Sequence, residues 1–340
     1  MDTQLMTQTA RAMVAPGKGL LAADESAGTC KKRFDSVNVE CNEENRRAYR
    51  ELLFTAPGVC DFISGVILFD ETLKQKTKDG VNFADYLKKN GIIPGIKVDA
   101  GAHDMALHPG EKVTEGLDKL AERMKEYFAL GARFAKWRAV ITIGEGIPTW
   151  ACIEANAHAL ARYSAICQEA SIVPIVEPEV LLDGSHTVER CEVETEKMLA
   201  TLFNELTWHK VSLEHVILKA SMVVSGKENP KQAGVQEVAE RTLRVLKRTV
   251  PAALPGVVFL SGGQTDENAT AHLDAMNRMG ALPWPLTFSY SRALQNTALK
   301  TWRGQAANVA AAQKAFHHRA RMNSLAAKGQ WNGNLEKQAA

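Results

Sequence analysis

Several short apolar runs in this chain finish on side chains that could do chemistry. VILKAS (216–221) places Lys219 after Val216, Ile217 and Leu218; FAKWRAV (134–140) carries Lys136 and Arg138; IVPIVEPEV (172–180) carries Glu177 and Glu179. Asp24 follows the apolar part of GLLAADES and Lys97 that of IIPGIKVD, while two later runs lead into Ser261-Gly262-Gly263 and into Ser289 with Arg292. A lysine ending a buried run is either a stem lying on apolar surface with its head in water, or an amine kept partly desolvated for reaction. An amine becomes nucleophilic when desolvation or a neighbouring cation lowers its pKa, and Lys136 could be that cation for Lys219. Attack on a carbonyl then calls for groups that move protons and expel water, which paired carboxylates can do. The bare N–H groups of a glycine turn and the donor fork of Arg292 suit a phosphate. Alone, each feature has an ordinary reading: a solvated rim lysine, an exposed Glu-Pro-Glu loop entry, a turn. Charges at the ends of six such runs, gathered in one place without function, would incur desolvation and like-charge penalties. Together they read as a Schiff-base enzyme acting on a phosphorylated carbonyl compound.

Those residues need elements to position them. Eight strand-like runs recur, at 19–26, 62–69, 92–99, 134–140, 172–180, 216–221, 256–263 and 286–291. Between them lie amphipathic segments. In EGLDKLAERMKEYFALGA, Leu117, Leu120, Met124 and Phe128 share a face and Gly131 marks a stop. In VQEVAERTLRVLKRTV, Val235, Val238, Thr242 and Val245 do the same before Pro251. Strand alternating with helix implies a parallel sheet with helical crossovers. Eight repeats without a Pro-, Gly- or Ser-rich linker predict one closed (β/α)8 barrel over residues 1–340, with a helical extension at about 1–18 and a polar tail at about 326–340. The competing doubly wound sheet would place G-x-G-x-x-G after the first strand, and no such motif is there. In the barrel, strand C-terminal ends gather the chemistry. Residues two apart, Lys136 with Arg138 and Glu177 with Glu179, share a strand face. Asp70 and Glu71, just past the second run, add little.

Composition narrows the class. A net charge of +2 with 45% hydrophobic and 24% charged residues is ordinary globular make-up and gives no footprint for a nucleic-acid partner. No apolar run approaches the roughly 20 residues needed to cross a bilayer, so no membrane association is expected. The N-terminal MDTQLMTQTARAM does not read as a signal peptide. Cys30, Cys41, Cys60, Cys152, Cys167 and Cys191 are scattered without a C-x-x-C pair, as expected of reduced thiols in a soluble, cytoplasmic protein.

The motifs also carry a resemblance. APGKGLLAADES, NRRAYRELL, GVILFDETL, PGIKVD, FAKWRAV, VEPEV, LSGGQ and FSYSRALQ occur in the order found in class I fructose-1,6-bisphosphate aldolases, over roughly residues 11–325. The resemblance implies a (β/α)8 barrel, reversible cleavage of fructose 1,6-bisphosphate, no cofactor, and a homotetramer. It matches Lys219 to the Schiff-base lysine and Glu177 to the proton-transferring glutamate, with Glu179 beside it. Asp24 matches the acid that handles the hydroxyl proton, and Lys136 and Arg138 the residues that tune the site and approach a phosphate. It also implies substrate contacts at Ser26, Arg33, Lys97, Ser261, Gly262, Gly263, Ser289 and Arg292. The chain departs from many relatives in three ways: Lys219-Ala220-Ser221-Met222 replaces Lys-Pro-Asn-Met, Ser291 replaces a common glycine, and no tyrosine follows Tyr290. The tail GQWNGNLEKQAA is expected to be mobile.

A metal-dependent aldolase or isomerase would need histidines and carboxylates converging at strand ends. His103 and His108 are expected in a loop, His158 and His272 in helices with no partner at i+4, and His317 and His318 side by side on a C-terminal helix. Most of the histidines read as surface residues, so no metal is expected in the site. The other rival, a barrel that has lost catalysis and serves as a binding protein, is disfavoured by the intact lysine and acids.

Overall fold

The computed structural model describes residues 1–339. Eight parallel strands close into a barrel: β1 Gly19–Ala23, β2 Ile63–Leu68, β3 Ile93–Lys97, β4 Phe134–Ile141, β5 Val173–Val180, β6 Ile217–Ala220, β7 Gly256–Phe259 and β8 Leu286–Tyr290, with β8 pairing β1. Helices lie between successive strands. The (β/α)8 expectation is correct.

Strand alternation builds two cores. Outward side chains such as Val66, Trp137, Leu218 and Phe288 pack with the helices. Inward ones form a separate apolar floor: Leu20, Ile67, Phe134, Val173, Ile175, Ile217 and Val258. Many of these stand at or near the first residue of their strands, so the floor fills the N-terminal half of the barrel. Helix Thr3–Met13 seals it with Met6, Ala10 and Met13, and its N-cap Asp2 accepts from Leu5 N–H. Gly95 is required here, because a Cβ on it would stand 2.2 Å from the Phe134 ring. Continuing inward and upward along the same rows, the apolar side chains give way to Lys97, Lys136, Arg138, Glu177, Glu179 and Lys219. The floor is apolar, and the ionic layer stands on it.

Several element ends differ from the sequence reading. β1 stops at Ala23 because Ser26 is the N-cap of helix Ala27–Asp35, its Oγ accepting from Thr29 N–H. β7 stops at Phe259, and the SGG run is a turn with Gly262 and Gly263 at positive φ. The helix expected to start near Leu117 starts at Leu120, since the preceding chain forms a hairpin, Gly101–Asp104 with Lys112–Glu115, and Gly116 turns out of it at φ 125°. His103 therefore lies on a hairpin strand and not in a loop. The tail does not leave the body. Trp331 N–H donates to Asp274 (2.8 Å), and Arg319 donates to both oxygens of Glu336 at 2.7 Å. Ala340, the last residue of the tail, lies outside the described residues. All six cysteines are free thiols, and no described helix is long and apolar enough to cross a membrane.

Candidate active site

A cavity of about 480 Å³ opens at the C-terminal ends of the strands. It is lined by Asp24, Ser26, Arg33, Lys97, Lys136, Arg138, Glu177, Glu179, Lys219, Ser261, Gly262, Ser289 and Arg292. Of the catalytic and substrate-binding residues expected from the sequence, Gly263 alone is not on this wall. It borders an adjoining pocket with Gln264 and His272, and Arg292 passes close behind it. Asp70 and Glu71 are elsewhere: Asp70 accepts from the Tyr127 hydroxyl at 2.9 Å, and Glu71 accepts from Arg46.

At the bottom of the cavity four charges, three of them buried and Asp24 nearly so, form a chain. Lys219 Nζ is 2.9 Å from Glu177 Oε1, Lys136 Nζ is 3.3 Å from Glu177 Oε2, and Lys136 Nζ is 2.7 Å from Asp24 Oδ2. Acids and amines therefore alternate. Lys136 was expected as the cation neighbouring Lys219; the Glu177 carboxylate stands between the two amines. β4 and β5 create this arrangement by register, with Lys136 opposite Ile175 and Arg138 opposite Glu177. Burial alone would raise the pKa of Asp24, but the nearby Lys136 and Lys219 outweigh it and hold the carboxyl well below the usual range. Glu177 is treated likewise: burial opposes its charge, Lys219 and Lys136 favour it, and its pKa falls. The converse holds for Lys136, whose pKa is raised because Asp24 and Glu177 overcome its desolvation. Lys136 is thus a firmly held cation, and Asp24 and Glu177 are anions at neutral pH.

Higher in the cavity the charge is unbalanced. Seven Lys or Arg side chains line it against four Asp or Glu. Arg138 is committed to Glu179, to which its Nε donates, and Lys97 is 3.2 Å from Asp99. Arg292 has no ion pair among the described residues, and its pKa is lowered by desolvation and by Arg33. Ser289 Oγ is buried and has no hydrogen-bond partner among the described residues. A cationic wall with an uncommitted arginine, a bare hydroxyl and the Gly262 turn can accept phosphoryl oxygens.

Sequence reasoning overlooked Glu25. Its carboxylate is buried between Arg33 and Arg50 and takes a hydrogen bond from Ser291 Oγ at 2.7 Å. The adjacent acids of AADES were the available signal, since consecutive residues at a strand end diverge. Ser291 also accepts from Arg33 at 2.9 Å, so the hydroxyl that replaces a common glycine helps to position that arginine. Ser221 has a comparable use. Its Oγ bridges the N–H and C=O of Val180, both at 3.1 Å, tying the chain after β6 to the end of β5.

Comparison with known proteins agrees with this geometry. The family model for class-I fructose-bisphosphate aldolase matches residues 5–340. A probable class 1 fructose-bisphosphate aldolase of Xanthomonas axonopodis pv. citri is 61% identical over 334 residues, 98% of this chain and 100% of that one. Cytosolic fructose-bisphosphate aldolase 5 of Arabidopsis thaliana is 53% identical, over 98% of this chain and 94% of its own. A crystal structure of the Plasmodium falciparum aldolase, in complex with TRAP and a small-molecule inhibitor, superposes with a TM-score of 0.96. It has 51% identity and covers 97% of this chain and 96% of that one. With the motifs, the barrel and these matches in agreement over nearly its full length, the chain belongs to the class-I fructose-bisphosphate aldolase family.

Proposed function

We propose that the chain cleaves fructose 1,6-bisphosphate reversibly to dihydroxyacetone phosphate and glyceraldehyde 3-phosphate through an imine on Lys219. The observation that carries this is the alternating row Lys219–Glu177–Lys136–Asp24 beneath a cationic wall. Arg292, Ser261, the Gly262–Gly263 turn and Ser289 hold the phosphate next to the ketone, and Ser26, Arg33, Lys97 and Arg138 contact the rest of the open-chain sugar. The Lys219 amine, having passed a proton to Glu177 at 2.9 Å, adds to C2 of the ketose. Protonated Glu177 is a strong acid in this setting, because its neighbours favour the anion, and it returns the proton to the departing hydroxyl as water leaves. Glu179 holds Arg138 and so orients that side of the site. The resulting iminium is the electron sink. Asp24, kept ionised, takes the C4 hydroxyl proton; the C3–C4 bond breaks, its electrons pass into the enamine, and glyceraldehyde 3-phosphate departs. Protonation at C3 and addition of water then release dihydroxyacetone phosphate and restore the amine. Lys136 favours the charged form of both acids, so each readily gives up the proton it takes.

No step calls on a metal, since the iminium supplies the electrophilic pull a metal would give elsewhere. Prolonged EDTA treatment should leave the cleavage rate unchanged, and loss of rate restored by zinc or manganese would contradict the mechanism. Lys219→Arg should reduce cleavage of the bisphosphate by several orders of magnitude while the fold, followed by circular dichroism, is retained; near-normal cleavage would refute the reading. We also infer a cytoplasmic homotetramer, supported by family membership and by the cytosolic plant relative. Light scattering should give four times 37.2 kDa.

A further inference from the structure

Away from the cavity, two helices bring three metal-binding side chains together. His158 lies on helix Trp150–Glu169, and Glu205 and His209 lie on and just after the last turn of helix Val188–Trp208. One ligand atom from each lies within 4.8 Å of the others. His158 Nδ1 is 3.0 Å from Glu205 Oε2, His209 Nδ1 is 3.5 Å from the same oxygen, and the two rings meet edge to face with centroids 4.8 Å apart. His209 Nδ1 is also 2.9 Å from the Glu205 carbonyl oxygen. With the proton on Nδ1 donated to that carbonyl, the Nε2 lone pair is left free for a ligand.

We propose that His158, Glu205 and His209 form a site for a divalent transition-metal ion, zinc being the best match. Two imidazoles and one carboxylate are a zinc donor set, whereas calcium and magnesium require all-oxygen surroundings. Donors bonded to zinc at 2.0–2.2 Å stand roughly 3.3–3.6 Å apart in a tetrahedron, so the widest separation, up to 4.8 Å, needs to close by about 1.2–1.5 Å. The freedom to do so exists: Glu205 is 7% exposed and fixed, while the His158 side chain is 50% and that of His209 26% exposed. A fourth position faces solvent and would hold water. The end of helix Val188–Trp208 is also the negative end of its dipole, which favours a cation. A hydrogen-bonded imidazole would already satisfy Oε2, and the second imidazole at the same oxygen is what a cation site adds. The cluster is hidden in the linear order of residues, because the partners of His158 come from the neighbouring helix. None of the three residues lines the catalytic cavity. The ion would clamp two outer helices and take no part in the cleavage.

The test uses the full chain, stripped of metal with a chelator and titrated with zinc chloride by calorimetry. Wild type should bind one equivalent at this site, and His158→Ala and His209→Ala should each weaken that binding at least tenfold. Zinc should raise the melting temperature of wild type by a few degrees and that of His158→Ala hardly at all, since an ion that binds the native state stabilises it. Magnesium chloride at the same concentration should do neither. Because His158 is a surface residue, its loss should leave a folded protein for comparison. Equal zinc binding and equal melting shifts in wild type and both variants, or equal effects of magnesium and zinc, would overturn the proposal.

Discussion

The behaviour of single residues here follows from charges held out of water. Asp24 and Glu177 titrate below their ordinary values of 3.8 and 4.5 because Lys136 and Lys219 outweigh the effect of their burial. A group with a depressed native pKa stabilises the fold at pH above its ordinary value and loses that contribution as pH falls toward the native one. Wild type should therefore melt higher than Asp24→Asn at pH 6–7, and the gap should shrink as pH drops through the carboxylate range. A gap independent of pH would mean that Asp24 is not an ionised partner of Lys136. Arg292 gives a second test at this scale. It is a planar donor fork without an ion pair, so Arg292→Ala removes a charge-assisted contact of about 1.5–3 kcal/mol, or roughly 10- to 150-fold in kcat/KM. Arg292→Lys should recover only part of this, as a point charge lacks bidentate geometry. An Arg292→Ala enzyme within about twofold of wild type, but less stable, would show an arginine that merely packs on the rim.

At the scale of elements, β3, β4, β5 and β6 each carry apolar residues low and a charged one high, so stability and chemistry are separable along their length. Met6 lies wholly in the floor, below the ionic row. Met6→Ala should destabilise the protein by about 2–5 kcal/mol in denaturant melts while leaving kcat/KM within about twofold. A large loss of activity with unchanged stability would contradict the division into layers. All eight strands were legible in the sequence because their apolar runs are short, regular and spaced by amphipathic helices. Their ends were less legible, as at Ser26, where a capping residue stopped the strand three residues early. The hairpin Gly101–Asp104 with Lys112–Glu115 was not foreseen, since its strands are largely polar and bury only Thr114. Among site residues, Lys136, Arg138, Glu177 and Glu179 were readable from alternation alone. Glu25 was not, because its partners Arg33, Arg50 and Ser291 are distant in sequence and meet it only through the fold.

For the whole molecule, a net charge of only +2 coexists with a cavity of strongly cationic lining. Walls of low dielectric focus that field on an anionic substrate. Raising the ionic strength from about 0.01 to 0.15 M shortens the Debye length from roughly 30 to 8 Å and should raise KM for the bisphosphate with little change in kcat. The central claim is that this barrel exists to hold Lys219 as an imine-forming amine, and trapping tests it most directly. Sodium borohydride added with dihydroxyacetone phosphate should reduce the imine to a stable secondary amine, abolish activity, and leave the added mass on the peptide containing Lys219. Adduct on Lys136 or another lysine, or no adduct at all, would contradict the account.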